Sequence, residues 1–151
     1  MKNLGSNLAW LAATAWVGSL WAIGYLAVPV LFQTLPDKML AGMLAGKMFS
    51  LVAYVGMACA AYLLANRSRA SAAAAIRQVP LWLLASMLLL TLVGEFGIQP
   101  VMSSLKAQVY PADIMHSAYA GKFKMLHGIA SISYLVQSLL GVALILRLAR
   151  R

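Results

Sequence analysis

An antiparallel bundle of four membrane-crossing helices, an all-α polytopic membrane protein, is the fold class that this sequence predicts. Three observations predict it. Of 151 residues, 63% are hydrophobic and only 10% charged, whereas a soluble domain carries about 25% charged residues. The apolar residues gather in four blocks, each close to the roughly 20 residues that cross a hydrocarbon core. None of the blocks alternates like a barrel strand, and a helix satisfies its own backbone groups in lipid. The composition therefore excludes a soluble globular enzyme. It also excludes a disordered chain, which would be polar and poor in large apolar residues. A net charge of +9 comes from only 12 lysines and arginines, scattered between the apolar blocks. There such charges set topology or touch anionic lipid. The bilayer is the implied partner, and nucleic acid is not.

The first block spans 8–31. Lys2 precedes it, and Ala13-Thr14-Ala15 imitates a signal-peptide cleavage site. Cutting there would leave only 8–12 as the apolar region, short of the about 7–15 residues that a signal needs. The block reads as a retained helix. The second, 44–64, contains Cys59, the one cysteine, so no internal disulfide can form. The basic, alanine-rich segment 66–80 is expected to prolong the helices on either side. The third block, 81–101, holds Glu95, the only acidic residue within any block. In the connector 102–125, Tyr110-Pro111-Ala112-Asp113 predicts that Asp113 caps a short helix reaching Lys124 on the outer surface. The fourth block is 126–146. With no linker, low-complexity stretch or internal repeat, residues 1–151 read as a single membrane domain.

Charge sets the orientation. Lys2, Arg67, Arg69, Arg77, Arg147, Arg150 and Arg151 fall on one side; Lys38, Lys47, Lys106, Lys122 and Lys124 fall on the other, diluted by Asp37 and Asp113. The positive-inside rule then places both termini in the cytoplasm of a bacterial inner membrane.

Polar residues inside the blocks mark the candidate site. Residues four, seven and eleven apart share a helix face. Four such faces recur: Trp10, Thr14, Gly18, Trp21, Tyr25 and Phe32 in the first helix; Lys47, Ser50 and Tyr54 in the second; Thr91, Glu95 and Gln99 in the third; His127, Ser131, Tyr134, Ser138 and Gly141 in the fourth. These faces are expected to meet in the bundle interior. With the chain antiparallel, Lys47, Tyr54, Glu95, Gln99, His127 and Ser131 become the ligand-binding candidates, gathered toward the outer face. A charge at a helix centre costs about 2.5–3.5 kcal/mol on insertion scales. Glu95 is therefore paired, protonated or open to a watery cavity, and a structural salt-bridge network with Lys47, Lys122, Lys124 and His127 as candidate partners is the competing expectation.

His116, His127 and Met102 are the weak candidates for a metal. With Met39, Met43, Met48, Met115 and Met125 also mapping to the outer side, thioethers suit Cu(I); methionines equally fill gaps at helix ends. The two histidines could also serve haem. No motif names a cofactor, and none names a catalytic residue: a phosphate loop, a CxxC pair, an HExxH helix and paired carboxylates are all missing from the sequence. Gly42-x-x-x-Gly46 and Gly18-x-x-x-Ala22 allow close helix contact. The aromatic residues Trp10, Trp21, Tyr25, Trp82 and Tyr110 suit membrane interfaces.

The stretches Trp16-Val17-Gly18-Ser19-Leu20, Val28-Pro29-Val30-Leu31-Phe32 and Leu40 to Phe49 resemble bacterial four-helix proteins related to the transmembrane-protein-205-like family, itself filed as a domain of unknown function. Gln99-Pro100-Val101-Met102 and Phe123 to Ser131 continue the likeness over nearly the whole chain. The resemblance implies fold and location rather than an activity. Eukaryotic members are linked to resistance to platinum drugs, which implies handling of metals or toxic compounds. A more distant likeness is to HemJ-type protoporphyrinogen oxidases and copper-resistance membrane proteins. HemJ-type proteins depend on a histidine in the first helix and an arginine after the proline; here the first helix has no histidine and Val30 follows Pro29.

Three functions follow as expectations. The first is an integral inner-membrane protein whose outer-facing polar pocket binds a ligand, ion or partner. The second is a copper-handling or transport component, completed by a second copy or another membrane protein because four helices are few. The third is a cofactor-bearing membrane redox enzyme.

Overall fold

A computed structural model describes residues 2–67 and 79–149, with side chains in the first stretch from Asn7 onward. Helix α1 comprises Lys2–Trp21, a wide π turn at Ala22–Ala27, and Val28–Thr34. Helix α2 is Lys38–Arg67. Helix α3 comprises Leu81–Leu92, a second π turn at Val93–Ile98, and Gln99–Val109. After a 3-10 turn at Ile114–His116, α4 runs over Ala120–Ala149. All four helices are long and apolar enough to cross a membrane. Arg69, Arg77, Arg150 and Arg151 lie outside the described residues, as does most of the segment expected to prolong α2 and α3.

The helices overrun the apolar blocks at nearly every end, because polar residues cap them beyond the hydrocarbon. The Asp37 carboxylate accepts from the amides of Met39 (2.8 Å) and Leu40 (3.0 Å) and starts α2. Lys38 Nζ donates to the carbonyls of Phe32 (2.6 Å) and Leu35 (3.0 Å) and closes α1. Arg67 donates to the Val79 carbonyl and so ties the end of α2 to the start of α3. Asp113 does cap, accepting from the Met115 amide at 2.9 Å, but the element it starts lasts three residues and does not reach Lys124. Ser117 ends it: its hydroxyl donates to the Ile114 carbonyl at 2.7 Å and accepts from the Tyr119 amide at 3.2 Å. Such local bonds compete with helix continuation. Lys122 and Lys124 consequently belong to the opening turns of α4.

Each helix packs on its neighbour in sequence, and α4 closes the ring against α1. The order is up-down-up-down, with α1 diagonal to α3. The exterior is apolar, with Leu26 and Leu51 both 67% exposed; in water a surface of this kind would aggregate, whereas in lipid it is solvated.

Pro29 and Pro100 each stand two residues beyond a π turn. Proline donates no amide hydrogen and crowds the carbonyl one turn back, and the widened turn accommodates it. The two diagonal helices thus share one device, and each is followed by an unbroken helix of 30 residues. The chain carries an architectural repeat, broken helix then straight helix, which the sequence reading did not recognise. Ala22 to Val28 and Val93 to Gln99 match at no position; only the final prolines coincide.

The buried face of α1 is Ala9, Ala13, Trp16, Val17 and Leu20. The stripe expected there is corrected: Thr14, Gly18 and Trp21 face out of the bundle, and a Cβ at Gly18 meets nothing within 4 Å. Gly18-x-x-x-Ala22 therefore makes no contact inside this bundle, and Trp21 lies mid-span rather than at an interface. In lipid, helices associate through shape and small residues more than through polarity.

Candidate functional site

The two ends of the bundle are built differently. Toward the termini, Trp16, Leu63, Leu84, Met87, Leu144 and Leu148 form one close-packed cluster. Gly56 is what admits the Trp16 ring, since a Cβ there would sit 2.4 Å from its Nε1. Toward the end that carries the α1–α2 and α3–α4 connections, the helices enclose a cavity of about 700 Å³. That size falls within the roughly 300–1,000 Å³ of small-molecule sites. Its wall is mainly apolar.

Hydrogen bonds between helices build the floor. Gln137 Nε2 donates to Thr91 Oγ1 at 2.7 Å, and Thr91 Oγ1 donates to the Met87 carbonyl at 2.9 Å. The Tyr134 hydroxyl donates to the Leu20 carbonyl at 2.6 Å, next to the first π turn. Gly24 makes this approach possible, because a Cβ there would lie 2.3 Å from Tyr134 Cε1. Tyr134 meets Phe49 edge-on, with ring centroids 5.2 Å apart, and Tyr25 at 6.2 Å. Tyr25 in turn donates to Ser138 Oγ at 3.0 Å.

Lys106 organises the rim. Its side chain is buried, Nζ donates to the Gly42 carbonyl at 2.9 Å, and the ammonium lies 5.6 Å from the Phe123 ring centroid. Phe123 stacks on His127 at 6.0 Å. Beside it, Gln99 occupies the space left by Gly46, where a Cβ would lie 2.8 Å from Gln99 Nε2. Gly46 thus makes room for Gln99, while a Cβ at Gly42 would meet Lys106 Nζ only at an ordinary 3.8 Å. Asp113, which caps the 3-10 turn, and Ile114 and Met115 within it also line the cavity.

Of the six binding candidates, Glu95, Gln99, His127 and Ser131 line this cavity. Lys47 and Tyr54 do not; they line a separate groove of about 850 Å³ on the outside of the bundle between α2 and α3. The reason lies in α2, which turns its small residues Gly42, Ala45 and Gly46 inward, Gly46 leaving the space that Gln99 fills. Its polar stripe is left on the flank. Glu95, Gln99, Lys106 and Gly46 border both spaces. The salt bridge expected between Glu95 and Lys47 is not formed. Among the described residues, the one pair within 4 Å joins His116 Nδ1 to Asp113 Oδ2 at 3.5 Å.

Among the metal candidates, His127 and Met102 line the cavity and His116 does not, so the two histidines are not brought to one cavity. Among the described residues, no three His, Cys, Asp or Glu side chains converge to hold a metal. Met39, Met102 and Met115 do share the cavity wall. The sequence reading counted Lys106 only for orientation and passed over Gln137 and Phe123. Lys106 was within reach, because Glu95, Gln99, Met102 and Lys106 stand at the four-, seven- and eleven-residue spacing of one face.

Fold and cavity together define a multi-pass four-helix membrane protein, packed at one end and hollow at the other. The chain belongs to the family described as Domain of unknown function (DUF4149), whose model matches residues 11–111. The match takes in most of α1, all of α2 and α3, and ends at the turn after α3, so α4 lies beyond it. Comparison with curated proteins and with solved structures gives no match.

Proposed function

We propose that this chain is an inner-membrane protein that holds a small amphiphilic molecule in the cavity between its helices. On this reading the cavity opens on the outer face of a bacterial membrane and both termini are cytoplasmic, as the seven-to-five division of basic residues favours. One observation carries the binding role: a mostly apolar cavity of about 700 Å³ is bordered by Glu95 and Lys106, neither of which has an ionic partner among the described residues. An ionisable side chain left unpaired within a membrane span, as Glu95 is among the described residues, is costly and marks function by default. The likeness to transmembrane-protein-205-like proteins belongs to the same reading, supported by the residues of the first hairpin.

The test is native mass spectrometry of protein extracted directly from its membrane. A Cβ at Gly94 meets nothing within 4 Å and Gly94 lines the cavity, so Gly94→Leu fills the space; Gly18→Leu adds the same bulk on the lipid face. A bound molecule retained by wild type and Gly18→Leu but lost from Gly94→Leu supports the proposal. Equal retention in both variants overturns it.

A second reading, copper handling, rests on Met39, Met102 and Met115 sharing one cavity with His127. Loading with Cu(I) followed by metal analysis tests it. A Met39→Leu/Met102→Leu variant that binds as much copper as wild type would sink it.

A further inference from the structure

The cavity and the outside groove share one wall, and that wall is made of side chains. Where α2 and α3 meet toward the connection end, the seam is closed by Gln99 over Gly46 and by Lys106 on the Gly42 carbonyl. Both closures are the ends of flexible side chains laid on glycine backbone. Glu95, Gln99 and Lys106 each border the cavity on one side and the groove on the other.

The groove runs from the end of α3 toward the middle of the bundle, where Glu95 also lines it. Ser103, Lys106 and Tyr110 line it toward the end of α3, whereas Leu51 and Tyr54 line it near the middle of α2. A lipid of that leaflet has its head at the first level and its chain at the second. Charge selects the head. Lys47 and Lys106 line the groove against a single carboxylate, Glu95. The Lys106 ammonium has a carbonyl and an aromatic ring for company but no carboxylate within 4 Å among the described residues. Glu95 stands eleven residues from Lys106 on α3, about three turns deeper. An anionic head is thus attracted to the level of Lys106.

We propose that the α2–α3 seam is a side door through which a membrane lipid with an anionic head passes its chain from the bilayer into the cavity, the head resting on Lys106. This rests on the cavity being a binding site, and the test separates the two. The full chain carrying Gly46→Cys, Gln99→Cys and Cys59→Ala is reconstituted in vesicles containing a photoreactive fatty acid. The seam is locked with a short bis-methanethiosulfonate reagent and released with reductant. Labelling is read by peptide mapping at cavity residues such as Ala130 and at groove residues such as Leu51.

The proposal predicts that locking abolishes labelling in the cavity but not in the groove, and that reductant restores it. Cavity labelling that survives the lock overturns the side door and leaves the binding cavity standing. A cavity unlabelled even in the open protein, with the groove labelled, overturns both. For the head, Lys106→Gln should cut labelling by the acid about tenfold, the size of one charge-assisted hydrogen bond. Labelling by the corresponding photoreactive alcohol should stay unchanged, and Lys106→Arg should restore the acid. Equal loss of acid and alcohol overturns the anionic head.

Discussion

The end of the bundle near the termini and the end with the short connections use the same helices to opposite effect. At the first, a tryptophan ring with no exposed surface lies against Gly56, and large aliphatic side chains fill the rest. At the second, a tyrosine ring lies just as close against Gly24, yet beside it is open volume. Lipid tails are as apolar as leucine, so association within the bilayer depends on fit rather than on escape from water. A protein that leaves one end unfilled forgoes those contacts there. On the proposed function, the packed end holds the fold and the hollow end binds.

Matched glycine substitutions test this contrast, beginning with the largest effect. Gly56→Ala places a methyl group 2.4 Å from Trp16 Nε1, with the ring locked in place. Its expected cost is at the upper end of overpacking, about 3 kcal/mol or more, read as loss of folded protein in a denaturant titration in micelles. Gly24→Ala makes an even shorter contact, 2.3 Å to Tyr134 Cε1. Here the ring can swing into the cavity, so the expected cost is about 1–2 kcal/mol. If Gly24→Ala proves the more damaging, the hollow end is as rigid as the packed one and the contrast fails.

Next comes the cavity floor. Gln137→Leu removes the donor to Thr91 while Thr91 keeps its own bond to Met87. The expected loss is about 0.6 kcal/mol, the average for hydrogen bonds between membrane helices, and Thr91→Val should add little to it in a double-mutant cycle. Smallest is Gly94→Leu, which enters open space. Its stability is expected within about 0.5 kcal/mol of wild type, and a loss of several times that would mean the space is already filled by protein.

The four helices were legible in the sequence because the bilayer permits few alternatives: composition named the solvent, and block length named the element. The inward polar faces of α3 and α4 were legible as well. Glu95, Gln99, His127 and Ser131 all reach the cavity wall. Lys47 and Tyr54 line the outside groove rather than the cavity for a physical reason. Helical spacing shows which residues share a face but not which neighbour the face meets, and α2 turns Gly42, Ala45 and Gly46 inward, Gly46 leaving the space that Gln99 fills. The π turns were hidden too, since a proline announces a disturbed helix without saying whether it kinks, breaks or widens.

The hollow end is predicted to be occupied in a membrane. An experimental structure in lipid nanodiscs, prepared without delipidating detergent, measures that directly. Elongated non-protein density between Tyr134 at the floor and Lys106 at the rim is the predicted result. A bundle in which these side chains close together and leave no such space would contradict it.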